Sequence, residues 1–549
     1  MATAKRLLTV LLAAGSIFST AWGGEPRLVV VIALDQFPYE YLVRFRDSFG
    51  TNGFNFLLSN GANFVAATYK HANTSTGPGH AVIMSGAYGN ENGIIANSWY
   101  NEERGAGMYC VQDDATTLIG GAGPGRSPRN LIGSTFGDEL RMQSGFRSKV
   151  ISLSNKDRAA ILLGGKLANG AYWMADSEFV TSTYYASELP QWLKDFNASG
   201  RVNGFFGATW DRILPMSAYQ FMDSDNAPYE HGAHGLGRTF PHPIVGDDPT
   251  HITASYYEAL LTSPFGSEIL EEVAKDAIVG EELGQRGVTD LLCLSFSSND
   301  YVGHSYGPDS HEVLDMTVRT DKILGDLFSF LDERIGLRNC LIALTSDHGV
   351  APIPEYMQTR RMNSLGGRFS MKAFAGFCSM FLTRTFGALP REESWIASSA
   401  GNAIYLNRTA LRKRNVTREA AAKALAGAIR GFPGIGAAFS KEELLTLNPS
   451  SAVEVRMKHS FHFTRSGDVL YVLEPFVIGS EGTEGTSHGD PYEYDAHVPL
   501  IIAGDGVVPG TFLNDASPAD LAPTLSALTK IEFPSGREGR ILIEALRTP

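Results

Sequence analysis

Cysteine is scarce in this 549-residue chain: only Cys110, Cys293, Cys340 and Cys378 occur, and none has CxxC spacing. That excludes a cysteine-ligated zinc site and a disulfide framework. Cys293, inside Leu291-Leu292-Cys293-Leu294, reads as a packed core thiol, and one disulfide among the other three stays open. Basic runs are missing too, and the formal net charge is −13, so nothing in the chain could neutralise a nucleic-acid backbone. Internal repeats, heptads and low-complexity tracts are absent. The long apolar stretch Leu7 to Ala21 follows Lys5 and Arg6 and runs into Ala21-Trp22-Gly23. It falls short of the ~20 residues a membrane span needs and ends in the small-x-small pattern of a cleaved export signal. No lipobox cysteine follows. Residues 1–23 are therefore expected to be removed, leaving an acidic periplasmic or secreted protein with no integral membrane segment.

What remains has ample material for a core, with 43% hydrophobic and 19% charged residues, and its 58 glycines predict many tight turns. Residues 27–34 form a continuous β-branched apolar run that delivers Asp35. The arrangement recurs: Lys149 to Ser154 leads into Lys156 and Arg158, Asp290 to Phe296 into Asp300, and Leu341 to Thr345 into Asp347 and His348. Such runs suit parallel strands covered on both faces. Ligands of open α/β sheets bind at the carboxyl ends of strands, so these polar clusters are expected to converge on one crevice. Ser310 to Glu333 has a helical apolar pattern, and the whole predicts a doubly wound, mainly parallel α/β sheet. Residues 24–351 are read as the first part of the core, with a loop insertion at about 165–250, and 486–549 as its C-terminal part. Residues 352–485 break the rhythm with the strand-like 402–406, an Ala-rich helix at 418–430 and an expected hairpin around Ser466-Gly467-Asp468. They are read as an inserted α+β cap subdomain.

Asp300 and His304 stand four apart, so one helical turn would bring both to one cation. Alone, such a pair is as well explained by a solvated turn. Asp347-His348 precedes Gly349, which lets the chain turn sharply, and His488 lies in the small-residue loop Gly485-Thr486-Ser487-His488-Gly489. With Asp35 these are hard or borderline ligands without cysteine, a composition that suits two zinc ions. Gly77-Pro78-Gly79 after Thr76 reads as a turn opening a helix, placing Thr76 at an electropositive helix N-terminus, where it could equally be a simple cap. His80 is taken as structural, and Phe37, Trp99 and Tyr100 either line the leaving-group side or pack in the core.

Asp35, Thr76-Gly77-Pro78-Gly79-His80, Asp300-x3-His304, Thr345-Ser346-Asp347-His348-Gly349 and Ser487-His488-Gly489, in this order, resemble the motifs of the alkaline phosphatase superfamily. The closing Asp520 to Leu528 stretch, Pro534-Ser535-Gly536 and Glu538-Gly539-Arg540 continue the likeness. The resemblance implies one zinc on Asp300, His304 and His488, a second on Asp35, Asp347, His348 and the Thr76 hydroxyl, and a covalent phosphothreonine formed on Thr76. The Cys/Ser-x-Pro-x-Arg motif of sulfatases does not replace Thr76-Gly77-Pro78-Gly79, which disfavours sulfate esters. Asn97, Lys156 and Arg158 resemble the phosphate contacts of the phosphate-irrepressible bacterial alkaline phosphatases, whereas the diesterase branch keeps the Asn and lacks the cations. A monomeric phosphomonoesterase acting on small phosphate esters is therefore expected. A phosphodiesterase or nucleotide pyrophosphatase with the same two metals is the alternative, ahead of a phosphate-binding protein without turnover.

Overall fold

The run at 27–34 forms strand β1 (Leu28–Leu34), buried along its whole length in a computed structural model that describes residues 25–360 and 366–547. The expected leader at 1–23 lies outside the described residues. Leu28, Val30, Ile32 and Leu34 enter one core cluster and Val29, Val31 and Ala33 another, because successive strand side chains point to opposite faces. Both faces are thus covered, which is why β1 carries no polar alternation. Strands β2 (Val150–Ser154), β3 (Asp290–Phe296) and β4 (Cys340–Ser346) obey the same rule. Helices α1 (Thr76–Ser85), α2 (Asp157–Gly164), α3 (Ser298–Tyr306) and α4 (His311–Arg334) lie in the connections.

These strands run parallel in the order β4-β1-β3-β2, and their register levels the carboxyl ends: Leu34 pairs with both Phe296 and Ser346, and Ser295 with Ser154. Asp35, Asp347 and the turn into α3 therefore leave the sheet at one height. The margins were not foreseen. Strand β5 (Leu500–Gly504) runs antiparallel to β4, and antiparallel strands also close the far side, giving an 11-stranded mixed sheet with a parallel centre. The stretch expected as loops at 165–250 contributes Gly170–Ala175 and Glu178–Ser182 to this sheet. Its remainder winds over α4, held where the Trp210 indole donates to Asp315 at 2.8 Å.

A second, four-stranded antiparallel sheet comes from residues 396–473, with the helices Met371–Phe386 and Arg418–Ile429 packed into its own core. Ser466-Gly467-Asp468 is no hairpin: it leads from the helix Ala452–His459 into the central strand Val469–Leu473, whose neighbours are Ala403–Leu406 and Ile435–Ser440. Glycine is needed there for close approach, since a Cβ at Gly467 would meet the Ile404 carbonyl at 2.7 Å. The side of this sheet facing the main fold shares a core with Trp99, Ile161 and Trp173. All four cysteines are buried and free, so none of them forms a disulfide. No described helix is long and apolar enough to cross a membrane.

Candidate active site

Three imidazoles meet the strand ends in one chemical orientation. The Nδ1 atoms of His304, His348 and His488 face the backbone carbonyls of Thr486 (2.9 Å), Gly349 (2.9 Å) and Thr74 (2.8 Å). A carbonyl only accepts, so each Nδ1 carries a proton, and in its neutral form each imidazole would present the Nε2 lone pair, the arrangement that metal-binding histidines use. Those Nε2 atoms point at carboxylates: His304 at Asp300 Oδ1 (3.2 Å), His488 at the same oxygen (3.6 Å), and His348 at Asp35 Oδ1 (3.5 Å) and Asp347 Oδ2 (3.4 Å). Two groups of ligand atoms fall within 4.8 Å of one another, Asp300-His304-His488 and Asp35-Asp300-His348. Asp300 stands between them, and His348 stacks on His488 with ring centroids 3.5 Å apart. Asp35 Oδ1 and His348 Nε2 are buried without a hydrogen-bond partner, and Asp35 Oδ2 and Asp347 Oδ2 meet the Lys156 ammonium and the His80 imidazole. Buried polar atoms left in this way fit a cation, and a mixed imidazole-carboxylate set without sulfur fits zinc.

Thr76 opens α1, and Ser75 before it is extended. Gly79, one turn on, lets the helix end press against the β4 loop: a Cβ there would stand 2.3 Å from the Asp347 carbonyl oxygen. His80 joins the two, its Nδ1 facing the Thr76 carbonyl (2.8 Å) and Asp347 Oδ2 (3.1 Å) while Nε2 meets the Ser295 hydroxyl (2.8 Å). It is an orienting residue for Asp347. The Asn97 carboxamide accepts the Gly77 N–H at 2.6 Å through Oδ1, which leaves its NH2 group as a donor. Arg158 Nη2 donates to Thr76 Oγ1 at 3.2 Å, and its buried Nε has no partner. Lys156 enters from the start of α2 and is almost wholly buried, its ammonium contacting Asp300 and lying 2.8 Å from Asp35 Oδ2. Of the aromatic residues, Phe37 packs in the core, Trp99 packs beneath the second sheet, and Tyr100 is partly buried against the same cluster.

The electrostatics follow from burial of unequal charge. Burial and the neighbouring Asp347 carboxylate push the Asp35 carboxyl up, with Lys156 acting against them. Burial also opposes ionisation of Asp300, yet His304 and Lys156 overcome it and hold this carboxyl well below the usual range. Burial depresses His488, helped by His348 and His304 beside it, so its imidazole stays neutral. Three buried carboxylates, Asp35, Asp300 and Asp347, face the cations of Lys156 and Arg158, an excess of negative charge that divalent ions would offset.

Several positioning residues carry no sequence signal. Gln36 donates its side-chain amide to Asp300 Oδ1 (2.7 Å) and its backbone N–H to Asp347 Oδ1 (3.1 Å), from a left-handed backbone with φ +58°. Asn299 clamps the carbonyls of Asp35 and Gln36 (3.1 and 2.6 Å). Asp495 accepts the N–H groups of Gly489 and Asp490, each at 2.9 Å, and so fixes the turn that follows His488. Only Gly303 hinted at this packing, since a Cβ there would collide with Gln36 Oε1.

A parallel-centred sheet with a carboxylate-imidazole cluster at its strand ends is an architecture suited to a hydrolase that uses divalent metal. Residues 29–490 match the family model "Type I phosphodiesterase / nucleotide pyrophosphatase", and the chain belongs to that family. It is similar to alkaline phosphatase PhoV of Synechococcus elongatus, 34% identical over 95% of this chain and 93% of the relative. Alkaline phosphatase PafA of Elizabethkingia meningoseptica is 32% identical over 99% of both chains. A protein of Myroides odoratus named as a calcium-transporting ATPase is 33% identical over 95% of both. The crystal structure of wild-type PafA superposes with a TM-score of 0.89, covering 95% of this chain and 99% of that one.

Proposed function

We propose that the chain is an exported alkaline phosphatase that hydrolyses phosphate monoesters through a covalent phosphothreonine on Thr76. Asp300, His304 and His488 would hold one zinc ion, and Asp35, Asp347, His348 and Thr76 a second. When bound, zinc supplies Lewis acidity and positive charge at this end of the sheet. Thr76 Oγ1 attacks phosphorus as the bond to the ester oxygen breaks and the alcohol leaves, and water then breaks the Thr76 phosphoester to release phosphate. The dipole of α1 adds positive potential at its N-terminus, where the same anion would sit.

The observation that carries the monoester reading is the set of donors around Thr76. Arg158 Nη2 lies 3.2 Å from the nucleophile, and Asn97, held by the neighbouring Gly77 N–H through Oδ1, keeps its NH2 group for a second donor. A monoester dianion bears a charged oxygen where a diester carries a second organic group, so a cationic fork at this position stabilises the monoester selectively. Lys156 adds a point charge shared with Asp35 and Asp300. The test is kcat/KM of zinc-loaded protein for an aryl phosphate monoester and the matching diester. Replacing Lys156 and Arg158 with alanine is expected to cut monoester turnover about 100-fold or more, the scale of losing charged transition-state donors, and to cut diester turnover far less. Equal losses would overturn the monoester reading, and a diester preference in the unmutated protein would move it to the phosphodiesterase branch of its family.

A further inference from the structure

Asn97 and Tyr109 stand side by side at the base of one β-hairpin. Its strands, Ser98–Asn101 and Ala106–Tyr109, pair Ser98 with Tyr109, and the Cys110 N–H donates to the Asn97 carbonyl at 2.9 Å. Asn97 thus leaves the hairpin toward Thr76, while the Tyr109 phenol reaches the start of α2.

The donors at that phenol can be assigned without ambiguity. Tyr109 has one hydroxyl proton, and it goes to Asp157 Oδ1 at 2.6 Å. Its oxygen is then left with lone pairs only, and Arg158 Nη1 donates to it at 3.3 Å. Asp157 is held in turn: its other oxygen accepts Arg126 Nε at 2.6 Å, and Oδ1 also accepts the Arg158 backbone N–H at 2.6 Å. The Arg126 guanidinium lies over the Tyr109 ring, 4.8 Å from its centroid, which fixes the ring plane. Burial, reinforced by Asp157, pushes the Tyr109 hydroxyl well above its ordinary value, so the phenol keeps its proton at alkaline pH. Among the described residues, the Arg158 side chain hydrogen-bonds only to Tyr109 and Thr76, and its buried Nε has no partner. The chain Arg126-Asp157-Tyr109 is therefore the only hydrogen-bonded brace on the side of the guanidinium away from the nucleophile.

We propose that Tyr109 is a positioning residue that sets the preference for monoesters, by holding the Arg158 fork against the Thr76 hydroxyl where the dianionic phosphoryl group would sit. The inference rests on the reading of Arg158 as a phosphate contact. Without the phenol oxygen the guanidinium keeps its charge and loses its aim, so the penalty falls on the substrate whose extra charge needs that aim. A diester, with less charge to collect, is less sensitive to where the fork points.

The experiment compares zinc-loaded protein with the variants Tyr109→Phe, Arg158→Ala and the two combined, reading kcat/KM for an aryl monoester and the matching diester, and Ki for inorganic phosphate. Phenylalanine retains the ring beneath Arg126, and zinc content together with Tm reports folding. Tyr109→Phe is expected to lower the monoester-to-diester ratio about tenfold or more and to weaken phosphate inhibition similarly, the size of one lost hydrogen bond to a charged group. In the Arg158→Ala background the same change should leave the ratio where it is. Equal losses for both esters on Tyr109→Phe, or an undiminished effect without Arg158, would overturn the positioning role while leaving Arg158 as a phosphate contact. If Arg158→Ala alone leaves the ratio unchanged, the phosphate-contact reading itself fails, and this inference fails with it.

Discussion

Gln36→Met tests whether both halves of the metal centre are oriented by one residue. Gln36 is wholly buried, and its side-chain amide donates to Asp300 Oδ1 at 2.7 Å, on the carboxylate that stands between the two ligand groups. Methionine keeps the length and volume and removes only the donor, while the backbone N–H to Asp347 remains. A hydrogen bond to a charged group is worth about 1.5–3 kcal/mol, and losing the partner of a metal-binding carboxylate typically costs ~10–100-fold in affinity. The two ranges coincide, since 1.4 kcal/mol is a factor of ten. Zinc affinity is read by competition with a chromogenic chelator, and stoichiometry by elemental analysis. Zinc binding is expected to weaken about 10–100-fold at the tightest step, with activity recovering at saturating zinc. Gln36→Glu should weaken binding at least as far, because it sets a second carboxylate against Asp300. Unchanged affinity and stoichiometry in Gln36→Met would refute the orienting role. Gly303 must also stay glycine, because a Cβ there would collide with Gln36 Oε1.

Gly79→Ala should destabilise the fold by about 3 kcal/mol and impair metal binding, because the new Cβ would lie 2.3 Å from the Asp347 carbonyl and neither backbone can give way; a wild-type Tm and zinc content would contradict this. Thr76→Ala should abolish turnover and phosphoryl-enzyme formation while retaining most zinc, since the carboxylate and imidazole ligands stay in place, and residual turnover near wild type would remove Thr76 as nucleophile. Glu230 is buried, and burial, with Glu312 and Asp223 nearby, pushes its carboxyl up to about 10. The unfolded chain releases that proton near the ordinary value of 4.5, so Glu230 subtracts stability increasingly as pH rises between 4.5 and about 10. Glu230→Gln should therefore raise Tm at pH 9, with the gain shrinking toward pH 4.5, and a pH-independent difference would count against a buried neutral acid.

The central strands and their polar ends were legible because burial on both faces leaves a signature in the sequence: Leu28 to Leu34 and Asp290 to Phe296 are apolar without alternation, and each ends where a carboxylate begins. The antiparallel margins left no such mark. Leu500–Gly504 looks like any other apolar run, and only its pairing with Thr345 to Leu341 reveals its direction. The turn at Ser466-Gly467-Asp468 misled for a related reason, since glycine served close backbone approach there instead of strand reversal. Gln36 was invisible because its role depends on a left-handed backbone and on a residue far away in the chain. Tyr109 was missed because its partners, Asp157 and Arg126, meet it only once the hairpin folds back on α2.

This contrast suggests a division of labour within the site. The proposed metal ligands Asp35, Asp300, Asp347 and His348 follow strands whose register is fixed by a core packed on both faces, so shifting any one of them means shifting the sheet. The groups proposed to distinguish a monoester from a diester hang from lighter elements. Asn97 and Tyr109 belong to a two-stranded hairpin, and Lys156 and Arg158 flank the first turn of an eight-residue helix. Substrate preference is therefore expected to shift at the hairpin and at Arg158 with the strand-end residues left in place, while Lys156, paired with Asp35 and Asp300, ties the two parts together. Substitutions at Asn97, Tyr109, Lys156 and Arg158 should therefore redistribute activity between esters, whereas substitutions at the strand ends should remove activity toward both.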